Sequence, residues 1–172
     1  MKTLHWGILG TGWIAHEMGE ALQAVNGQIY AVCDVTLAGA EKYAQEFGVT
    51  KAYGSAEEML ADDQVDIVYI ATPHSLHYQL MRQALLAGKH VFCEKSITVN
   101  SRQLEECVTI AQEKGLVICD GVTLLHMPLY KKLKELVASG AIGEVKMVQV
   151  NFGSCKEYDV NNRFFSKELA GG

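Results

Sequence analysis

The sequence is short of proline, of basic charge and of long apolar runs, and each shortage excludes something. Only two prolines occur, Pro73 and Pro128, which excludes a proline-rich linker and a collagen-like repeat. Lys and Arg number 15 against 20 Asp and Glu, a net charge of -5. That balance offers no footprint for nucleic acid or an anionic lipid surface, so neither partner is expected. No apolar run approaches the roughly 20 residues of a membrane span, and no apolar leader precedes the first glycine. Cysteine is sparse and unpatterned: Cys33, Cys93, Cys107, Cys119 and Cys155 show no C-x-x-C spacing. The expectation is reduced thiols in a cytoplasmic protein, with no disulfide and no metal site. Cys33, Cys93 and Cys119 lie inside apolar runs and are expected in the core.

What remains is a chain of 172 residues, 49% hydrophobic and 20% charged, long enough to bury a core. Short apolar runs alternate with longer amphipathic ones, the pattern of an α/β fold whose parallel sheet is covered by helices. Strands are expected at 3–9, 28–33, 51–53, 66–71, 89–93 and 116–120, and helices at 12–25, 37–47, 56–61, 76–87 and 101–114. The strands are rich in Val, Ile and Tyr with little polar alternation, so they read as buried on both faces. Gly27, Gly48, Gly88 and Gly115 each follow a helical stretch, where a left-handed residue closes the last turn. Ser55 and Asn100 precede two others as N-caps. After residue 120 the rhythm changes. Pro128 opens a helix at 129–139, a strand follows at 144–152, and then a polar stretch without periodicity. One strand makes no sheet. Residues 1–120 are therefore expected to form one complete domain, and 121–172 the incomplete beginning of an α+β substrate and oligomerisation domain. An unpaired strand edge at 144–152 predicts self-association or disorder beyond Gly153.

The first strand runs into Gly10-Thr11-Gly12-Trp13-Ile14-Ala15, a G-x-G-x-x-A loop opening a helix. Gly10 suits a tight strand-to-helix turn, Gly12 lets a pyrophosphate approach the backbone, and Ala15 keeps helix and strand close. The helix N-terminus adds unpaired N–H groups and partial positive charge. Asp34 ends the second strand 24 residues after Gly10, near the offset of a carboxylate on the adenosine ribose. Such a carboxylate accepts from both ribose hydroxyls and repels a 2′-phosphate. No Lys or Arg follows in Val35-Thr36-Leu37, so NAD is expected in preference to NADP. A plain strand-end or capping acid is the other reading of Asp34. A methyltransferase that binds S-adenosylmethionine shares the loop geometry.

Three further stretches fall at the ends of later strands, where open α/β sheets bind ligands. They are Ala71-Thr72-Pro73-His74-Ser75-Leu76-His77, Ala87-Gly88-Lys89-His90-Val91-Phe92-Cys93-Glu94-Lys95 and Gly121-Val122-Thr123. With the first loop they resemble the Gfo/Idh/MocA family of NAD(P)-dependent oxidoreductases over essentially the whole chain. The resemblance implies a Rossmann-type doubly wound parallel sheet followed by the start of the substrate domain. It implies that hydride moves between NAD and a secondary hydroxyl of a sugar, cyclitol or related small polyol, usually in a homo-oligomer. Gly10, Thr11, Gly12, Trp13, Ile14 and Asp34 would hold the cofactor. Thr72 and Pro73 would line the nicotinamide ribose side, and His77 would lie close to the dinucleotide or cap the following helix. Glu94 and Lys95 match the family's E-K-P signature, in which the glutamate fixes the cofactor end. Lys95 is the catalytic candidate, a cation beside a developing alkoxide; a solvated strand-end lysine is the plainer reading. Ser96 stands where the family has proline. The family's later Asp and His, which serve the substrate hydroxyl, have no counterpart here. The alternative function is therefore a non-catalytic dinucleotide-binding module, and the chain alone is expected to be inactive. The resemblance implies a substrate pocket near the segment 158–165, which includes Asn161, Asn162, Arg163, Phe164 and Phe165.

Overall fold

The computed structural model describes residues 3–153, 155, 157–160, 165 and 166. Three of the six strands carry consecutive buried residues, and all six pair in parallel. They are β1 (His5–Leu9), β2 (Gln28–Cys33), β3 (Lys51–Tyr53), β4 (Ile67–Ile70), β5 (His90–Cys93) and β6 (Ile118–Asp120). Their order across the sheet is β3-β2-β1-β4-β5-β6. The order reverses between β1 and β4, the switch point of a doubly wound sheet. This is the Rossmann-type fold that the alternation of apolar and amphipathic runs predicts.

Period-two alternation along the strands divides the core between the two faces. Ile8 on β1, Val32 on β2 and Tyr69 on β4 join Ala15 and Leu22 of α1 (Trp13–Ala24) and Ala40 and Tyr43 of α2 (Leu37–Phe47). Leu9, Cys33, Val68 and Ile70 face the other way. They meet Met59 of α3 (Ala56–Leu60), Met81 and Leu85 of α4 (His74–Leu86), and Cys107 and Ala111 of α5 (Ser101–Lys114). Gly19 makes the contact between α1 and α2 possible, because a Cβ there would lie 2.6 Å from the Tyr43 hydroxyl. That hydroxyl donates to the Ala15 carbonyl at 2.8 Å.

Both expected N-caps form: Ser55 Oγ accepts from the Glu58 N–H at 3.2 Å and Asn100 Oδ1 from the Gln103 N–H at 3.0 Å. Replacing Asn100 with Ala is expected to cost about 1 kcal/mol of stability, read from the urea midpoint. Thr36 adds a third cap, accepting from the Gly39 N–H at 3.2 Å. Gly48 and Gly115 close their helices in the left-handed region. After α1 that conformation belongs to Asn26 (φ 55) rather than Gly27, and asparagine is the non-glycine residue that tolerates it best.

Three expectations are corrected. Helix α4 starts at His74, not at residue 76, because Pro73 takes the N-cap position and its carbonyl accepts from the Leu76 N–H at 2.9 Å. Cys119 is exposed, whereas Cys33 and Cys93 are buried. It sits on β6, which pairs only with β5, and an edge strand has one uncovered flank. The strand expected at 144–152 does not form; residues 145–153 have no regular structure, and the expected strand edge goes with it. Val148, Val150 and Phe152 are exposed there. Apolar alternation makes a strand only where a neighbouring strand supplies the hydrogen bonds. The helix expected from Pro128 does form, as α6 (Pro128–Ala138), but none of its residues is buried. Among the described residues no helix is long and apolar enough to cross a membrane.

Candidate dinucleotide-binding site

Parallel strands deliver their carboxyl ends to one edge of the sheet, and at the switch point a cleft of 970 Å³ opens there. Four strand ends line it: Leu9 to Ile14 after β1, Cys33 to Val35 after β2, Gly54 to Glu57 after β3, and Ala71 to Pro73 after β4. Leu76 and Leu80 of α4 add an apolar wall.

The turn from β1 into α1 depends on Gly10. Its φ is +93, its N–H donates to the Cys33 carbonyl at 2.8 Å, and a Cβ there would stand 2.9 Å from the Ala71 carbonyl oxygen. No other residue type fits without moving backbone. Gly12 differs: it caps α1 at φ -73, and a Cβ there would meet nothing within 4 Å. The first turn of α1 holds no acidic residue. An open cradle at a helix N-terminus with free N–H groups suits a diphosphate. Trp13 lines the cleft and is 73% exposed.

Asp34 is half-buried at the rim. Its Oδ2 accepts from both the N–H of Thr11, at 3.0 Å, and the Thr11 hydroxyl. Its Oδ1 is 3.4 Å from the Thr36 N–H. Among the described residues the lining contains no Lys or Arg; its charged residues are Asp34 and Glu57. Cys33 reaches the cleft as a neutral thiol, because burial pushes its pKa up to about 11. Thr72 Oγ1 is enclosed and has no hydrogen-bond partner among the described residues. The open glycine, the helix end and the rim carboxylate together fit a dinucleotide. Gly10, Thr11, Gly12, Trp13, Ile14, Asp34, Thr72 and Pro73 all line the cleft.

The other three sequence candidates lie outside the lining. His77 is fully buried behind it, with Nδ1 2.8 Å from the Ser96 carbonyl and Nε2 3.0 Å from the Thr72 carbonyl. It ties the loop after β4 to the loop after β5. Burial is the larger influence on this ring and holds its pKa below the usual imidazole value, against the pull of the two carbonyls. Glu94 is buried; it accepts from the Tyr69 hydroxyl at 2.7 Å and from the Lys95 N–H at 3.3 Å. Gly121 makes room for it, since a Cβ there would come within 2.8 Å of its carboxylate. Lys95 follows on the exposed side of this loop.

The turn Gly54-Ser55-Ala56-Glu57 joins the lining without having been singled out, Ser55 having been read only as a cap. The available signal was topological: β3 pairs with β2, so the turn after β3 must lie beside the turn that carries Asp34. Among the described residues no group of three or more His, Cys, Asp or Glu could hold a metal ion. The expected pocket at 158–165 includes positions 161–164, which lie outside the described residues.

Known proteins resemble this chain in sequence and fold. Residues 4–122 match the family model for the oxidoreductase family with an NAD-binding Rossmann fold. A trans-1,2-dihydrobenzene-1,2-diol dehydrogenase from Xenopus laevis is 35% identical over 97% of this chain and 51% of its own length. A D-xylose 1-dehydrogenase (NADP(+)) from Hypocrea jecorina is 36% identical over 99% of this chain and 49% of its own. The chain thus spans about half the length of the relatives it matches. Among solved structures, an NAD binding oxidoreductase from Klebsiella pneumoniae superposes with a TM-score of 0.72 at 32% identity, over 80% of this chain and 39% of that one. A 3-ketoreductase from Actinomadura kijaniata, solved with NADP and TDP-benzene, gives 0.77 at 30% identity, over 83% and 44%. With a family model covering most of its length and a matching sheet, the chain belongs to the Gfo/Idh/MocA family of oxidoreductases.

Proposed function

We propose that this chain is the cofactor-binding part of an NAD-preferring dehydrogenase that acts on a secondary hydroxyl of a sugar, cyclitol or related small polyol. The observation that carries the cofactor preference is the charge of the cleft. Among the described residues its only charged lining residues are Asp34 and Glu57, so there a 2′-phosphate would meet two carboxylates and no cation. This supports NAD even though the Hypocrea jecorina relative and the Actinomadura kijaniata enzyme are described with NADP. The names of the relatives, a diol dehydrogenase and a xylose dehydrogenase, support the substrate class.

When bound, the nicotinamide supplies the hydride acceptor or donor. The chain's own residues do the rest. The α1 N-terminus and Gly12 receive the diphosphate, and Asp34 takes the adenosine ribose. Thr72 and Pro73 border the nicotinamide end. Lys95, exposed beside the buried Glu94, is the residue we assign to the substrate hydroxyl, where its ammonium would stabilise developing negative charge.

The test is a titration of NAD and NADP followed by the fluorescence of Trp13, which lines the cleft; Trp6 packs edge-on against Phe92 instead. Binding of NAD roughly tenfold tighter than NADP, a preference of about 1.4 kcal/mol, is the expected result. The reverse preference would remove the cofactor assignment. A dinucleotide-binding module without turnover is the second reading, favoured by the absence of any histidine from the cleft lining among the described residues. NADH formation from a panel of sugars and polyols by this chain would contradict that reading.

A further inference from the structure

We propose that Thr11 is a positioning residue for cofactor choice: its N–H and hydroxyl tether the Asp34 carboxylate and prevent it from retreating before a 2′-phosphate. The inference rests on the NAD-preferring reading above and names the residue that enforces it.

The geometry is asymmetric. Two donors of Thr11 converge on one oxygen of Asp34, the N–H at 3.0 Å and the hydroxyl as well. The other oxygen has only the 3.4 Å approach of the Thr36 N–H, so it keeps acceptor capacity for ribose hydroxyls. On the α2 side the carboxylate fits against Gly39, where a Cβ would lie 3.3 Å from Asp34 Cγ and Oδ1. The carboxylate is thus held between the phosphate loop and the start of α2.

An aspartate at this position discriminates only if it stays in place. A side chain free to rotate would turn away from a dianionic phosphate and relieve the repulsion. Rotation here breaks two hydrogen bonds to a charged acceptor, the strong kind, at a half-buried site where screening is weaker than in bulk water. Thr11 thereby converts the presence of Asp34 into a fixed charge. It also links the two halves of the cofactor site, because the same loop that receives the diphosphate orients the ribose acceptor.

The test uses Thr11→Val, which keeps the N–H and the branched shape but removes the hydroxyl, and Thr11→Ser, which restores it. The ratio of NADP to NAD dissociation constants is expected to fall roughly tenfold in Thr11→Val, mainly through tighter NADP binding, and to return to within about twofold of wild type in Thr11→Ser. Equal thermal midpoints would show that the change is not structural. An unchanged ratio in Thr11→Val, while Asp34→Ala loses its preference, overturns the tether and leaves the NAD reading standing. An unchanged ratio in Asp34→Ala removes both. Without any ligand, amide hydrogen exchange at Thr11 is expected to quicken in Asp34→Ala; protection equal to wild type would also overturn the tether.

Discussion

Gly10→Ala is expected to lose about 3 kcal/mol of stability together with dinucleotide binding, whereas Gly12→Ala is expected to lose binding alone. The two glycines are two residues apart in one loop, yet they answer to different constraints. At Gly10 the backbone is left-handed at φ +93, and a methyl group would press on the Ala71 carbonyl oxygen at 2.9 Å. That oxygen belongs to backbone whose N–H donates to the Leu9 carbonyl at 2.8 Å, so relief requires β1 and β4 to part. At Gly12 φ is -73 and a Cβ meets nothing within 4 Å. A methyl there costs the ligand-free protein little and occupies the space that a diphosphate needs. Thermal midpoints with and without NAD separate the two cases. If Gly12→Ala bound NAD as wild type does, the diphosphate would have to lie elsewhere.

His77→Ala is expected to cost about 3 kcal/mol, because it opens a cavity at a fully buried position and takes the ring N–H from the carbonyl it serves. The lost contacts are those to Ser96 and Thr72. The loop bearing Lys95 would therefore loosen along with the loop after β4. The same ring makes stability depend on pH. A neutral imidazole has one N–H and donates to one carbonyl; only the imidazolium donates to both. Burial nevertheless dominates and lowers the folded pKa. The sign follows: below the ordinary value of about 6.5 the unfolded chain takes up a proton that the folded ring resists, so stability falls as pH drops through that value. The fall ends once pH passes below the folded pKa. His77→Gln is expected to flatten this part of the profile, measured as urea midpoints between pH 7 and pH 5. A slope equal to wild type would assign the pH dependence to other histidines.

Much of the fold was legible because strand and helix periods differ. The strands at 28–33 and 51–53 and the helices at 37–47 and 101–114 form with the expected bounds. Their apolar spacing, caps and closing glycines all lie within a few residues of one another. The cofactor loop was legible for the same reason: Gly10, Gly12, Ala15 and the start of α1 form one local unit. The misreadings come from partners distant in the chain. Residues 144–152 have strand-like composition but no neighbouring strand. Cys119 has an apolar setting but an edge position. The family resemblance implies His77 close to the dinucleotide or capping a helix, whereas its side chain is buried and joins two loops.

By itself, then, the sequence determined the α/β class, the glycine-bearing strand-loop-helix and the acid that terminates β2, because periodicity and turn chemistry act over short spans. Tertiary structure decided which loops share the cleft, that Asp34 is tethered by Thr11 23 residues away, and that Glu94 and His77 are buried supports behind the surface. Those outcomes depend on the strand order β3-β2-β1-β4-β5-β6. The order is set by how two helical layers cover one sheet, and no local pattern encodes it.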